Sequence, residues 1–145
     1  MGPLFGGNAI GAVTAAGRLR LPSFVLETLI RRSGGRRIVF GAHESEPCLS
    51  AYDPAWRVAL AERPDRRRLL GFAEEAEFDS AGRVTLPSMM RWKGRIGDLA
   101  LFVGTGGAFE IWNPDIAVEA GGPDLREMAR YRLREIGSEE RKERR

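Results

Sequence analysis

Asp79-Ser80-Ala81-Gly82-Arg83-Val84-Thr85-Leu86-Pro87-Ser88 decides how the chain is read, because most of it occurs twice. Ala16-Gly17-Arg18-Leu19-Arg20-Leu21-Pro22-Ser23 lines up with Ala81 to Ser88 at an offset of 83 − 18 = 65 residues. Asp79 and Gly82 occupy the first and fourth places of a type I turn, where the carboxylate accepts from nearby backbone N–H groups. Thr14-Ala15-Ala16-Gly17 is the weaker counterpart. Beyond each turn, Arg18-Leu19-Arg20-Leu21 and Arg83-Val84-Thr85-Leu86 alternate polar and apolar with period two, so the leucines and Val84 face inward and the arginines outward. Pro22 and Pro87 then open helices at a position that tolerates a missing N–H.

The repeat continues in both directions. Ile38-Val39-Phe40-Gly41 parallels Leu101-Phe102-Val103-Gly104, and Leu49-Ser50-Ala51-Tyr52-Asp53-Pro54 parallels Phe109-Glu110-Ile111-Trp112-Asn113-Pro114. Three markers in one order indicate a duplicated unit, and two copies are too few for a solenoid. The expected architecture is mixed α+β, with the halves at residues 1–65 and 66–136 related by a pseudo-twofold axis and a charged tail over 137–145 that frays. Within each unit, strands are expected at 9–13 and 72–78, then at 36–40 and 99–103, then at 48–52 and 109–112. A helix from Ser23 to about Arg32 should end at Gly34-Gly35, and its partner should run from Ser88 to Lys93. Asp53-Pro54 and Asn113-Pro114 each pair an N-cap residue with proline at N1, so a helix closes each copy. Leu125, Met128, Ala129, Leu133 and Ile136 form an apolar stripe at helical spacing.

Composition bounds the function. The chain is 43% hydrophobic and 30% charged, with a formal charge of +3. That charge is uneven: residues 1–70 hold 11 Arg and 6 acidic residues (+5), and residues 71–145 hold 12 basic and 14 acidic residues (−2). Arginine outnumbers lysine 21 to 2, which fits a GC-rich genome and also phosphate contacts. No apolar run is long enough to cross a bilayer, and no secretory leader is visible, so the cytosol is the expected compartment. Cys48 is the sole cysteine and His43 the sole histidine, and neither has a partner at ligand spacing in the sequence. No metal, cofactor or small-molecule substrate is expected.

Chemistry-bearing patterns are few. Gly104-Thr105-Gly106-Gly107 lacks the lysine of a phosphate loop and joins two strands, so it reads as a hairpin turn. Glu75 and Glu77 share a strand face without a nucleophile or metal partner, and no catalytic triad is evident, so an enzyme is not expected. Arg66-Arg67-Arg68 reads as exposed helix or linker surface. Trp56, Trp92 and Trp112 read as core or interface anchors, and Cys48 as a small buried strand residue. The two Gly-Arg pairs stand out, since an arginine just past a tight turn can reach phosphate or guanine, although it can also simply solvate a strand face.

Leu70-Gly71-Phe72-Ala73-Glu74, the Asp79-x-x-Gly82-Arg83 motif, Leu101-Phe102-Val103-Gly104 and Phe109-Glu110-Ile111-Trp112 closely resemble the second half of MraZ proteins. Gly17-Arg18-Leu19 and Pro47-Cys48-Leu49-Ser50-Ala51-Tyr52 extend the resemblance to roughly residues 4–135. It implies two swapped-hairpin halves, as in AbrB-like regulators, intertwined into a small β-barrel with flanking helices. It also implies ring-shaped homo-oligomers on repeated sites in double-stranded DNA, a nucleoid association, and repression of the division and cell-wall gene cluster. The DNA contacts carried over are Arg18 and Arg83, with Arg20 beside them, and the turn residues are Thr14, Gly17, Asp79 and Gly82. Thr14 stands where the motif has aspartate, and Gly6 where many members have a basic residue. The competing reading is an AbrB-like, antitoxin-type protein-interaction module with weak or lost DNA binding.

Overall fold

A computed structural model describes residues 2–33 and 35–143. Among the described residues eight strands carry the fold: β1 (Asn8–Ala12), β2 (Arg18–Arg20), β3 (Arg37–Ala42), β4 (Leu49–Tyr52), β5 (Glu74–Glu77), β6 (Arg83–Thr85), β7 (Leu99–Gly104) and β8 (Phe109–Trp112). The helices are α1 (Ser23–Ser33), α2 (Pro54–Ala61), α3 (Ser88–Gly94), α4 (Pro114–Ala120) and α5 (Pro123–Glu143), with a 3-10 helix over Pro64–Phe72.

Six strands form one antiparallel sheet in the order β1-β7-β8-β4-β3-β5, while β2 and β6 pair with each other in a two-stranded ribbon. Both hairpins, β3–β4 and β7–β8, therefore receive a strand from a distant part of the chain: β1 pairs with β7, and β5 with β3. The hairpins meet at the centre of the sheet through β4 and β8, where Ser50 lies opposite Glu110.

The closed barrel is corrected. Among the described residues β1 and β5 are free edges of an open sheet, and β2–β6 is a separate two-stranded ribbon joined to β1 by the bridge Val13↔Leu19. Pro22 and Pro87 explain why the ribbon stays short, since neither can donate to a longer ladder. The strand expected over 72–78 also contracts to Glu74–Glu77, because Phe72 ends the 3-10 helix.

Two cores flank the sheet. The larger lies between the sheet, the ribbon, α1 and α3, and joins Leu19, Leu21, Val25 and Leu29 to Val84, Leu86 and Met90, with Phe40, Phe102 and Phe109 beneath. Alternation does this work: Leu19 and Val84, the central residues of the ribbon, are buried while their neighbours are exposed. The smaller core lies under α4 and α5, where Trp112, Leu101, Cys48, Ala117 and Ala129 pack together. Trp112 is thus a core anchor, whereas Trp56 is 39% and Trp92 75% exposed.

The α5 stripe from Leu125 to Ile136 contains no exposed residue, with Ala129 fully buried. The helix runs on to Glu143, through most of the segment expected to fray, and residues 144–145 lie outside the described residues. Gly34, expected to help end α1, also lies outside them.

The two Pro-N1 helices are capped differently. Asn113 Oδ1 accepts from the Asp115 N–H at 2.9 Å, as an N-cap should. Asp53 makes no side-chain cap bond, because its buried carboxylate faces Arg32 Nη2 at 3.1 Å instead. That contact is an ion pair without hydrogen-bond geometry at Asp53 Oδ1. Arg32 also donates to the Gly107 carbonyl at 2.8 Å and lies over the rings of Phe5 and Trp56, tying α1 to the β7–β8 turn.

Candidate nucleic-acid interface

The turn at 79–82 is built by its aspartate. The Gly82 N–H donates to the Asp79 carbonyl at 2.9 Å, and Asp79 Oδ1 accepts from the N–H groups of Ala81 and Arg83, each at 2.9 Å. The turn at 14–17 has the same backbone closure, with the Gly17 N–H on the Thr14 carbonyl at 2.9 Å. From its own side chains it receives one bond, from the Arg18 N–H to Thr14 Oγ1 at 3.0 Å. Both turns end on a glycine in the left-handed region, φ 84° at Gly17 and 81° at Gly82, where a Cβ would be strained. The turns then lock onto one another's strands: the Leu21 N–H donates to the Gly82 carbonyl and the Leu86 N–H to the Gly17 carbonyl, both at 2.8 Å.

Ribbon register brings the sequence-predicted arginines together. Leu19 lies opposite Val84, Arg18 opposite Thr85, and Arg20 opposite Arg83, with all four polar side chains on the exposed face. Opposed arginines repel, so the face needs acceptors. Asp79 Oδ2 accepts from Arg83 Nε at 2.9 Å and lies 3.6 Å from Arg18 Nη2, so one carboxylate serves the two turn hairpins, those closed around 14–17 and 79–82. The two guanidinium side chains remain 50% and 59% exposed. The Arg83 N–H above all holds the Asp79 carboxyl below the usual carboxylate range, with partial desolvation opposing and the Ala81 N–H and Arg83 guanidinium adding to it.

Arg20 is placed differently from Arg18 and Arg83. Its Nε donates to the Ala81 carbonyl at 3.1 Å, so part of its hydrogen-bonding capacity is spent on the turn of the other hairpin. Sequence reasoning missed Arg91, which leaves α3 to donate through Nη1 to the Ala15 carbonyl at 2.8 Å. Subtracting the repeat offset, 91 − 65 = 26, gives Leu26, so the duplication carried no signal for it.

It also missed a cluster across the β4–β8 seam. The donor atoms of His43, Cys48 and Glu110 lie within 4.8 Å of one another. His43 Nδ1 accepts from the Ser45 and Glu46 N–H groups at 3.1 and 3.0 Å, which puts the ring proton on Nε2, facing Glu110 Oε2 at 2.9 Å. A metal on Nε2 would drive that proton to Nδ1, against two N–H donors, so the geometry fits a hydrogen-bonded node better than a metal centre. Burial raises the Glu110 carboxyl, but the hydrogen bonds from His43 and Trp112 outweigh it and hold it low. Burial, reinforced by Glu110 and Glu46, pushes the Cys48 thiol well above its ordinary range. Glu75, singled out in the sequence, is paired with Arg37 at 3.0 Å.

No protein-family model matches the sequence. Curated relatives do. The transcriptional regulator MraZ of Azotobacter vinelandii is 32% identical, over 83% of this chain and 86% of its own length. That of Chromobacterium violaceum is 34% identical, over 77% and 82%, and that of Pseudomonas aeruginosa 33% identical, over 76% and 80%. These relatives place the chain among transcriptional regulators. It belongs to the MraZ family. No helix among the described residues is long and apolar enough to cross a membrane.

Proposed function

We propose that the chain binds double-stranded DNA sequence-specifically through the outer face of the β2–β6 ribbon, with Arg18 and Arg83 reading the duplex. The observation that carries this is the exposed pair itself: two arginines from distant turns, on one face, organised by one carboxylate. An arginine so held can fork onto guanine or onto phosphate. In this reading the chain consists of two like halves, residues 1–65 and 66–136, each giving one strand to the ribbon, and two features support that division. The strand order reads the same from either end when β1, β3 and β4 are exchanged for β5, β7 and β8. The matching residues Leu19 and Val84 also sit opposite one another at the ribbon's centre.

As in the reading drawn from its family, the chain acts from the cytoplasm and nucleoid as a ring-shaped homo-oligomer on repeated sites, repressing the division and cell-wall gene cluster. Several weak reading heads in one ring gain affinity through effective concentration. Immunoprecipitation of the protein with its own genome, followed by binding to the recovered fragments, tests this. Enrichment at repeats ahead of that cluster is expected, and recovery without any enriched site would overturn it. Thr14, lacking the motif carboxylate, and the exposed Trp92 favour a second reading, a protein-interaction module. Oligomers that bind no DNA would select it.

A further inference from the structure

The two turns differ in what holds them. Asp79 supplies two carboxylate bonds to its own turn, whereas Thr14 supplies one hydroxyl bond. The weaker turn has an external support. Arg91 rises from α3, donates to the Ala15 carbonyl at 2.8 Å, and lies so close to Gly17 that a Cβ there would stand 3.1 Å from its Cδ. The start of α3 is tied to the same turn through the Leu86 N–H on the Gly17 carbonyl. Across the ribbon the relation is reversed. Arg20, on β2 and opposite Arg83 in register, donates to the Ala81 carbonyl at the tip of the 79–82 turn, which holds its guanidinium at that turn.

We propose that Arg20 and Arg91 are crossed positioning residues: each holds the turn of the opposite hairpin, so that each half of the chain sets the aim of the other half's arginine. Arg91 substitutes in this chain for the carboxylate missing at position 14, and Arg20 acts on the turn rather than reading DNA. The role in recognition rests on the assignment of Arg18 and Arg83 as DNA contacts, but the crossing itself does not.

Arg91→Met and Arg20→Met keep an apolar stem and remove the donor. Amide exchange by NMR in the full chain should speed up over residues 14–18 in the first variant and over residues 79–83 in the second, with thermal midpoints near wild type. Duplex DNA selected by the wild-type protein from fragmented genomic DNA should then bind each variant roughly tenfold more weakly, because the loosened turn has to be ordered again on binding. The dependence on salt should be unchanged. Exchange that rises in the variant's own hairpin, or nowhere, would overturn the crossing. A salt slope reduced by about one would make the residue a phosphate contact, and unchanged affinity would remove it from recognition. Should wild-type protein select no duplex, the DNA reading fails while the exchange pattern still judges the clamp.

Discussion

Arg18 Nη2 lies 3.6 Å from Asp79 Oδ2, across the ribbon and 61 residues away in the chain (79 − 18 = 61). The same oxygen accepts from Arg83 at 2.9 Å. The carboxylate is therefore shared unequally: Arg83 is bonded to it, and Arg18 is only drawn toward it. A guanidinium already held loses less freedom on binding than one that must be ordered. The two hairpins are alike in backbone and unlike in how firmly they present their arginines.

Alanine at either position gives the first test. If Arg18 and Arg83 read guanine, each replacement should remove about 1–3 kcal/mol of discrimination between matched and mismatched duplexes. A phosphate-only role would instead weaken all duplexes alike and lower the salt slope by about one. Thr14→Asp should give the first turn its own carboxylate and release Arg18 from Asp79. A binding series in salt on wild type and these three variants checks this, and wild-type affinity in both alanine variants would exclude the reading role.

The second outcome concerns pH. Asp79 is held below its unfolded range, so its contribution to the turn is present above that range and lost as pH falls through the lowered folded value. The 79–82 turn should therefore stay ordered at mildly acid pH and loosen only below the ordinary carboxylate range. A titration following the Ala81 and Arg83 amides should show this transition, and Asp79→Asn should abolish it. A transition unaltered by that variant would assign it to another group.

The glycines should differ although their backbones match. Alanine at either φ costs about 1–2 kcal/mol for the left-handed conformation. At Gly82 the new Cβ meets the end of Leu26, 3.1 Å from Cδ2, which can swing aside. At Gly17 it meets the Leu86 carbonyl oxygen at 3.0 Å, a backbone atom of a residue whose own N–H is bound to the Gly17 carbonyl, so it cannot swing aside as a side chain can. Gly17→Ala should be the more destabilising in urea unfolding. Equal losses would mean that the ribbon accommodates both.

Arg32→Met should be the most damaging single change outside the apolar core. It leaves the Asp53 carboxylate, 1% exposed, without its counter-charge, and breaking such a pair costs about 3–5 kcal/mol. Adding Asp53→Asn to Arg32→Met should recover part of that loss, because no buried charge is then left over. Unfolding midpoints of the two variants decide the point, and a double variant less stable than the single one would refute it.

What the sequence determined by itself was local and repeated. The turn at 79–82, the alternation through Leu86, the proline at the helix start and the apolar stripe of α5 depend on neighbours within a few residues, so their chemistry could be read directly. Placing the arginines on the exposed face followed from the same alternation. The tertiary structure decided everything that joins distant segments. It set β2 against β6 and left the sheet open instead of closed. It gave Asp79 to both arginines, turned Arg20 onto Ala81, brought Arg91 to a turn with which it shares no sequence signal, and gathered His43, Cys48 and Glu110 at the seam of two hairpins. The physical reason is that strand register and the reach of a long side chain are settled by packing across the whole core, whereas a turn or a cap is settled by the few residues that compose it.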